Sequence, residues 1–141
     1  MNKEQNIIQQ GDKKFGFSKR EKICKRNDFL LLFQTNQVLY SYPYFCRYRL
    51  TESKEQKVRI AISAPKKYFK RAVDRNRIKR LTREIFRLNK HILYQQDKFK
   101  NYQLDIFFIY SEEVLLSFDV LQKKMLTLLN KLSTDIQIDK E

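Results

Sequence analysis

Between Lys70 and Lys90 the sequence reads KRAVDRNRIKRLTREIFRLNK, with nine lysines and arginines against Asp74 and Glu84. At about 100° per residue, Ile78, Leu81, Ile85, Leu88 and Ile92 fall on one face of a helix. Arg75, Asn76, Lys79, Arg80, Arg83, Arg87 and Lys90 fall on the arc opposite. Like charges at i, i+3 and i+4 repel, so such a face is best relieved by an anion laid along it. Arginine predominates, which suits forked hydrogen bonds to phosphates and stacking on bases. The Asn76 amide can both donate and accept, as a ribose hydroxyl or base edge requires. The chemistry offered is recognition of a polyanion.

Charge distribution agrees. The chain has 141 residues and a formal net charge of +14, and the 25 residues from Lys66 to Lys90 carry +9 of it. Residues 101–141 are net −3. A field concentrated in one place favours a nucleic acid, whose counterions are released on binding. A major-groove DNA reader and an anionic membrane surface are the other partners a basic helix could take. The membrane option would leave a sheet uncovered. Rings at Phe29, Phe33, Tyr44 and Tyr48 favour a single strand with unstacked bases.

Enzymatic chemistry by the polypeptide itself is poorly supported. The single histidine, His91, lies on the side of a helix, and no Gly-rich phosphate loop, HExxH or nucleophile elbow occurs. Cys24 and Cys46 have no metal-ligand spacing. Asp105, Glu112 and Glu113 could be imagined as metal ligands but stand in the least basic part of the chain. No metal site is expected. The first twenty residues are polar, without a secretory core, and no apolar run approaches the ~20 residues of a membrane span.

The elements that must position the basic helix follow from periodicity. A short helix is expected from Asp28 to about Thr35, capped by Asn27 or Asp28, with Phe29 and Phe33 on one face. Strands are expected at Val38–Tyr40, Tyr44–Leu50, Val58–Ile62 and Leu104–Tyr110, with TESKEQK as a hairpin connection between the second and third. The third alternates aliphatic Val58, Ile60 and Ile62 with Arg59, Ala61 and Ser63, a face with room for something to approach. Pro65 stops it. Ser117 should cap a last helix carrying Phe118, Leu121, Met125, Leu128 and Leu132 inward. The expected class is α+β, one small sheet with helices packed on it. Residues 1 to about 14 read as a disordered polar tail, and FGFSKREKI as an extended segment against the body.

Arg75-Asn76-Arg77-Ile78-Lys79-Arg80-Leu81-Thr82-Arg83-Glu84 resembles the RNR signature of the protein subunit of bacterial ribonuclease P. In that family the signature follows a strand of the type that Arg59-Ile60-Ala61-Ile62-Ser63-Ala64-Pro65-Lys66-Lys67 forms here. Asp28-Phe29 with Phe33 matches its early helix, and Phe45 with Tyr48 its next strand. The likeness covers about residues 20 to 132. Two loops depart from the pattern: Tyr68-Phe69-Lys70-Arg71 and Thr35-Asn36-Gln37 stand where the family has glycines.

The resemblance implies an α-β-β-β-α-β-α fold with a small, mostly antiparallel sheet of about four strands and three helices. It would be like domain 2 of ribosomal protein S5, with a left-handed βαβ crossover where general rules give a right-handed one. It implies a flexible N-terminal extension over 1–20, one RNA-binding domain over 21–133 and a C-terminal tail over 134–141. The implied activity is endonucleolytic removal of the 5′ leader from precursor tRNA, with the catalytic centre and its Mg²⁺ in a partner RNA and no catalytic residue in this chain. Arg75, Asn76, Arg77, Lys79, Arg80 and Arg83, with Arg87 on the same helix, would face the catalytic RNA. Phe29, Phe33 and Tyr48 would line a leader cleft with Lys66 and Lys67 beside it. The partners would be the catalytic RNA and precursor tRNA, without DNA or membrane, the protein being a monomer in a one-to-one cytoplasmic ribonucleoprotein. The competing readings are a non-enzymatic ribosome-associated or RNA-chaperone protein, and a protein-only nuclease using Asp105 or Glu112.

Overall fold

The computed structural model describes residues 19–136; the expected tail over 1–14 and most of 134–141 lie outside them. A 3-10 turn at Lys19–Glu21 leads to helix α1 (Arg26–Gln34), strands β1 (Val38–Ser41), β2 (Tyr44–Glu52) and β3 (Lys57–Ser63), and helix α2 (Ala72–Asn89). A single turn α3 (His91–Tyr94), a 3-10 turn at Asp97–Phe99, strand β4 (Tyr102–Tyr110) and helix α4 (Phe118–Asp135) follow. The sheet order is β1-β2-β4-β3. β1–β2 and β2–β4 are antiparallel, whereas β3–β4 is parallel and joined through α2. The fold is α+β with a four-stranded mixed sheet, as expected.

The hairpin between β2 and β3 does not form, because β4 lies between them. β4 is buried continuously from Leu104 to Phe108, so only a central position covers both its faces. β3 takes the edge, where Lys22 bridges Ile60 in parallel and the Ile23 amide donates to the Ile60 carbonyl at 2.9 Å. The described part of the expected extended segment, 19–23, is thus a turn followed by a bridge.

Strand alternation sorts two cores. Tyr44, Cys46 and Tyr48 of β2, Val58 and Ile60 of β3, and Leu104, Ile106 and Phe108 of β4 enter the main core with α2 and α4. Helix α2 contributes Ile78, Ile85 and Phe86, and α4 contributes Leu121, Met125, Leu128, Leu129 and Leu132. Leu81 and Leu88, expected inward, are only half-buried, while Thr82 and Phe86 are fully buried. The stripe is therefore rotated from the simple wheel. The opposite sheet face carries a smaller cluster of Ile23, Leu32 and Phe107 under α1, flanked by Phe29, Ala61 and Ile109.

Three local expectations are corrected. Helix α1 starts at Arg26 after Lys25, with no side-chain cap, because the Asp28 carboxylate turns to Arg59 instead. The basic helix ends at Asn89, and Lys90 is buried, its ammonium 2.8 Å from both Glu21 oxygens. Lys90 ties the N-terminal turn to the body and leaves the basic arc. Tyr44 is fully buried, its hydroxyl 2.9 Å from the Thr82 hydroxyl. Ser117 does cap α4, accepting from the Val120 amide at 3.4 Å.

Burial also sets an alkaline limit. It pushes the Cys46 thiol up to about 12 and raises the Tyr44, Tyr48 and Tyr94 phenols. Each group is neutral when folded and ionises more readily when unfolded. Their stability contribution is present below the unfolded values, about 8.5 to 10, and is lost as pH rises through them. Urea unfolding followed by circular dichroism should show stability falling steadily above about pH 9. A flat profile to pH 11 would contradict this burial.

Candidate nucleic-acid interface

The interface begins with what faces solvent on α2. Asn76, Arg77 and Arg80 are exposed, Lys79 and Arg83 half-buried, and no hydrogen bond or ion pair engages these five side chains among the described residues. Arg77, Arg80, Leu81 and Glu84 line an open groove of about 220 Å³. Five polar side chains without partners along one helix are free to meet phosphates.

Arg75 and Arg87 differ. The Arg75 Nη1 donates to the Phe69 and Lys70 carbonyls, each at 2.9 Å, which pins the turn entering α2. In that turn Phe69 is buried with its ring centroid 5.9 Å from that of Tyr110. No described residue has a positive φ, so Tyr68-Phe69-Lys70-Arg71 closes without the glycine its family pattern carries. Arg87 donates from Nε to Glu84 at 3.0 Å, and this guanidinium holds the Glu84 carboxyl below the usual range. Of the basic side chains expected to face RNA, these two are committed to the fold.

A cleft opens where α1, the bridging segment 22–24, β3 and α2 meet. Its volume is about 210 Å³, and Lys22, Ile23, Cys24, Phe29, Ile60, Ala61, Ile62 and Arg83 line it. Ala61 supplies the room that the small face of β3 promised. Phe29 and Phe33 stand edge-on to Phe107, with ring centroids 5.8 and 5.6 Å from it. Phe33 is 53% exposed one turn beyond the cleft. Arg83 belongs to both regions, projecting from the basic helix to the cleft wall.

Tyr48 is not part of this cleft. It points to the other face of the sheet, 2% exposed, and its hydroxyl donates to the Asp135 carboxylate. Period-two alternation places Phe45 and Arg47, not Tyr48, on the cleft side. Lys66 and Lys67 follow the end of β3, exposed and outside the cleft lining. The Lys67 ammonium is 5.0 Å from the Tyr68 ring centre.

The aromatic wall is held by an ion triad that composition does not reveal. Arg59 donates through Nε and Nη2 to the two Asp105 oxygens, both at 2.8 Å, and through Nη1 to Asp28 at 3.2 Å. Asp105 is nearly fully buried, and its pairing with Arg59 is the main cause that raises the guanidinium. Asp28 thereby fixes α1, and with it Phe29 and Phe33, over the sheet. The triad engages Asp105, and among the described residues no three His, Cys, Asp or Glu side chains gather into a metal-holding group.

Cys24 is exposed at the cleft while Cys46 is buried in the core. A thiol reagent at neutral pH should label Cys24 alone in the folded protein, and a single strand seated in the cleft should slow that labelling. Mass spectrometry after trypsin digestion reads both. Equal labelling of Cys46 would contradict its burial.

Known proteins agree with this architecture. The family model described as Ribonuclease P matches residues 17–133. A Ribonuclease P protein component of Porphyromonas gingivalis is 42% identical over 80 residues, covering 56% of this chain and 58% of that protein. The chain thus spans less than two thirds of that relative's length. One from Nitrosococcus oceani is 36% identical over 85 residues, covering 60% of this chain and 70% of that protein. The RNase P protein from Thermotoga maritima superposes with a TM-score of 0.63 at 29% identity, covering 79% of this chain and 97% of that one. The Staphylococcus aureus RNase P protein, at 21% identity and a TM-score of 0.58 over 82% of this chain and 96% of that one, shares the fold.

Proposed function

The chain belongs to the Ribonuclease P protein family, and from that premise we propose that it is the protein subunit of the tRNA-processing ribonucleoprotein. In this reading it binds a catalytic RNA and the 5′ leader of precursor tRNA and promotes endonucleolytic removal of the leader. The observation that carries the proposal is Arg83, which joins the unpartnered basic face of α2 to the Phe29 cleft. A structured RNA and a flexible strand need different surfaces, and these two meet at one residue.

Each group has a role. Asn76, Arg77, Lys79 and Arg80 contact phosphates and riboses of the catalytic RNA. Phe29 and Phe33 offer ring faces to unpaired leader bases, whose stacking does not depend on sequence. Lys66 and Lys67 hold leader phosphates beside the cleft. Arg75 and Arg87 act through the shape of α2. Mg²⁺ supplies the hydrolytic chemistry and is held by the RNA, where neighbouring cations of this chain screen phosphate repulsion. The working state is one copy of the chain per catalytic RNA in the cytoplasm.

The test is binding of precursor and mature tRNA to the reconstituted complex under limiting Mg²⁺. The proposal expects the chain to tighten precursor binding about tenfold more than mature binding, the contribution of one or two stacked bases. Equal tightening of both would favour the non-enzymatic RNA-binding reading.

A further inference from the structure

The rings do not end at the cleft. Across the sheet, Tyr40 of β1, Phe45 of β2, Ile109 of β4 and Ser63 of β3 are register partners in one row. Val38, Arg47, Phe107 and Ala61 form the adjacent row on the same face. The second row starts at the cleft wall, passes under Phe33 and reaches Arg47. Along it the surface changes from covered to open: Phe107 is 8% exposed, Val38 40% and Tyr40 52%. The alternate positions Tyr44, Cys46 and Tyr48 are in the core, so this face is a real second surface of β2.

Arg47 is held for use. Its Nη1 donates to the Thr35 carbonyl at 3.1 Å, and its guanidinium carbon lies 5.9 Å from the Phe45 ring centre. No carboxylate neutralises it among the described residues. A ring pair beside one uncompensated arginine matches a base and its phosphate. The face is also continuous with the cleft proposed for the leader, and its charge has the sign a phosphodiester chain requires.

We propose that Tyr40, Phe45 and Arg47 form a second single-strand subsite, which takes leader nucleotides beyond those held at Phe29 and Phe33. The proposal rests on the leader-cleft reading above. It makes the protein's benefit depend on leader length past the cleft, with stacking on Tyr40 and Phe45 and one phosphate on Arg47.

The experiment uses the chain assembled with a ribonuclease P RNA and precursor tRNAs whose leaders grow one nucleotide at a time. Wild-type affinity should rise, pause when the cleft is filled, and rise again. Tyr40→Ala should abolish the second rise, weakening the longest leader about tenfold. Arg47→Met should lower the salt dependence for long leaders by about 0.7 in log–log slope, one single-strand phosphate. Lys123→Ala, which removes a charge from the exposed side of α4, should leave both rises in place. The Tyr40 side chain has no partner in the fold, so its loss reads binding rather than folding.

Superimposable wild-type and Tyr40→Ala curves, with both rises present, would overturn the second subsite and leave the cleft reading intact. Absence of any leader-length dependence in the wild type would overturn the cleft reading and this proposal together. If Tyr40→Ala changes only the sedimentation of the chain alone, the β1 edge serves a second copy and the subsite is refuted.

Discussion

Replacing Arg80 and Arg83 together with alanine should lower precursor-tRNA cleavage by the reconstituted ribonucleoprotein on the order of a hundredfold at limiting Mg²⁺. Each guanidinium makes charge-assisted hydrogen bonds worth about 1.5–3 kcal/mol with a phosphate, and two such losses give that factor. Neither side chain is tied within the described fold, so the protein itself should unfold as the wild type does. The two losses separate by position. Arg80 borders the open groove on α2, and its change should weaken the catalytic RNA whatever the substrate. Arg83 borders the cleft, and its change should weaken precursor more than mature tRNA. High Mg²⁺ should restore most of the rate, because added cations substitute for the missing charge near the phosphates. Single-turnover rates across a Mg²⁺ series measure this. Equal rates for wild type and variant at limiting Mg²⁺ would remove the basic helix from the account.

Asp105→Ala should be the most damaging single change to the fold outside the apolar core, at about 3–5 kcal/mol. It leaves the Arg59 guanidinium, whose side chain is only 16% exposed, with Asp28 as its remaining carboxylate. An uncompensated charge in that setting costs far more than the pair contributes. Asp28→Ala should cost about 1.5 kcal/mol, one charged hydrogen bond, since Arg59 keeps both oxygens of Asp105. It should still loosen α1 and so weaken leader binding. Urea unfolding gives the first number, and amide exchange in residues 26–34 gives the second. A cost below about 1 kcal/mol for Asp105→Ala would show that the triad does not hold the aromatic wall.

The α2 signal was legible in the sequence because two regular periods coincide there, one apolar and one basic. Ala61 was legible as well, since a strand with one aliphatic and one small face announces a place of approach. Tyr48 was not. In Tyr44-Phe45-Cys46-Arg47-Tyr48-Arg49 large rings occupy both parities, so alternation alone does not say which parity is inward. That is decided by the packing of α4, whose Asp135 accepts from Tyr48. Lys90 was misplaced for a related reason. A helical wheel assigns it to the basic arc, but the helix stops one residue earlier, and Glu21, distant in sequence, draws it inside. The ion triad joins residues 28, 59 and 105, a combination no local pattern contains. The place of β4 between β2 and β3 is likewise a consequence of two-sided burial that a linear reading took for a hairpin.

The central claim is that this chain makes an RNA catalyst act on a precursor tRNA. The most direct measurement is cleavage of precursor tRNA at low Mg²⁺ by the purified chain, by a bacterial ribonuclease P RNA, and by both together. The account predicts cleavage at the mature 5′ end only in the mixture. Cleavage by the chain alone, or a mixture no better than the RNA alone when that RNA is active at high Mg²⁺, would contradict it.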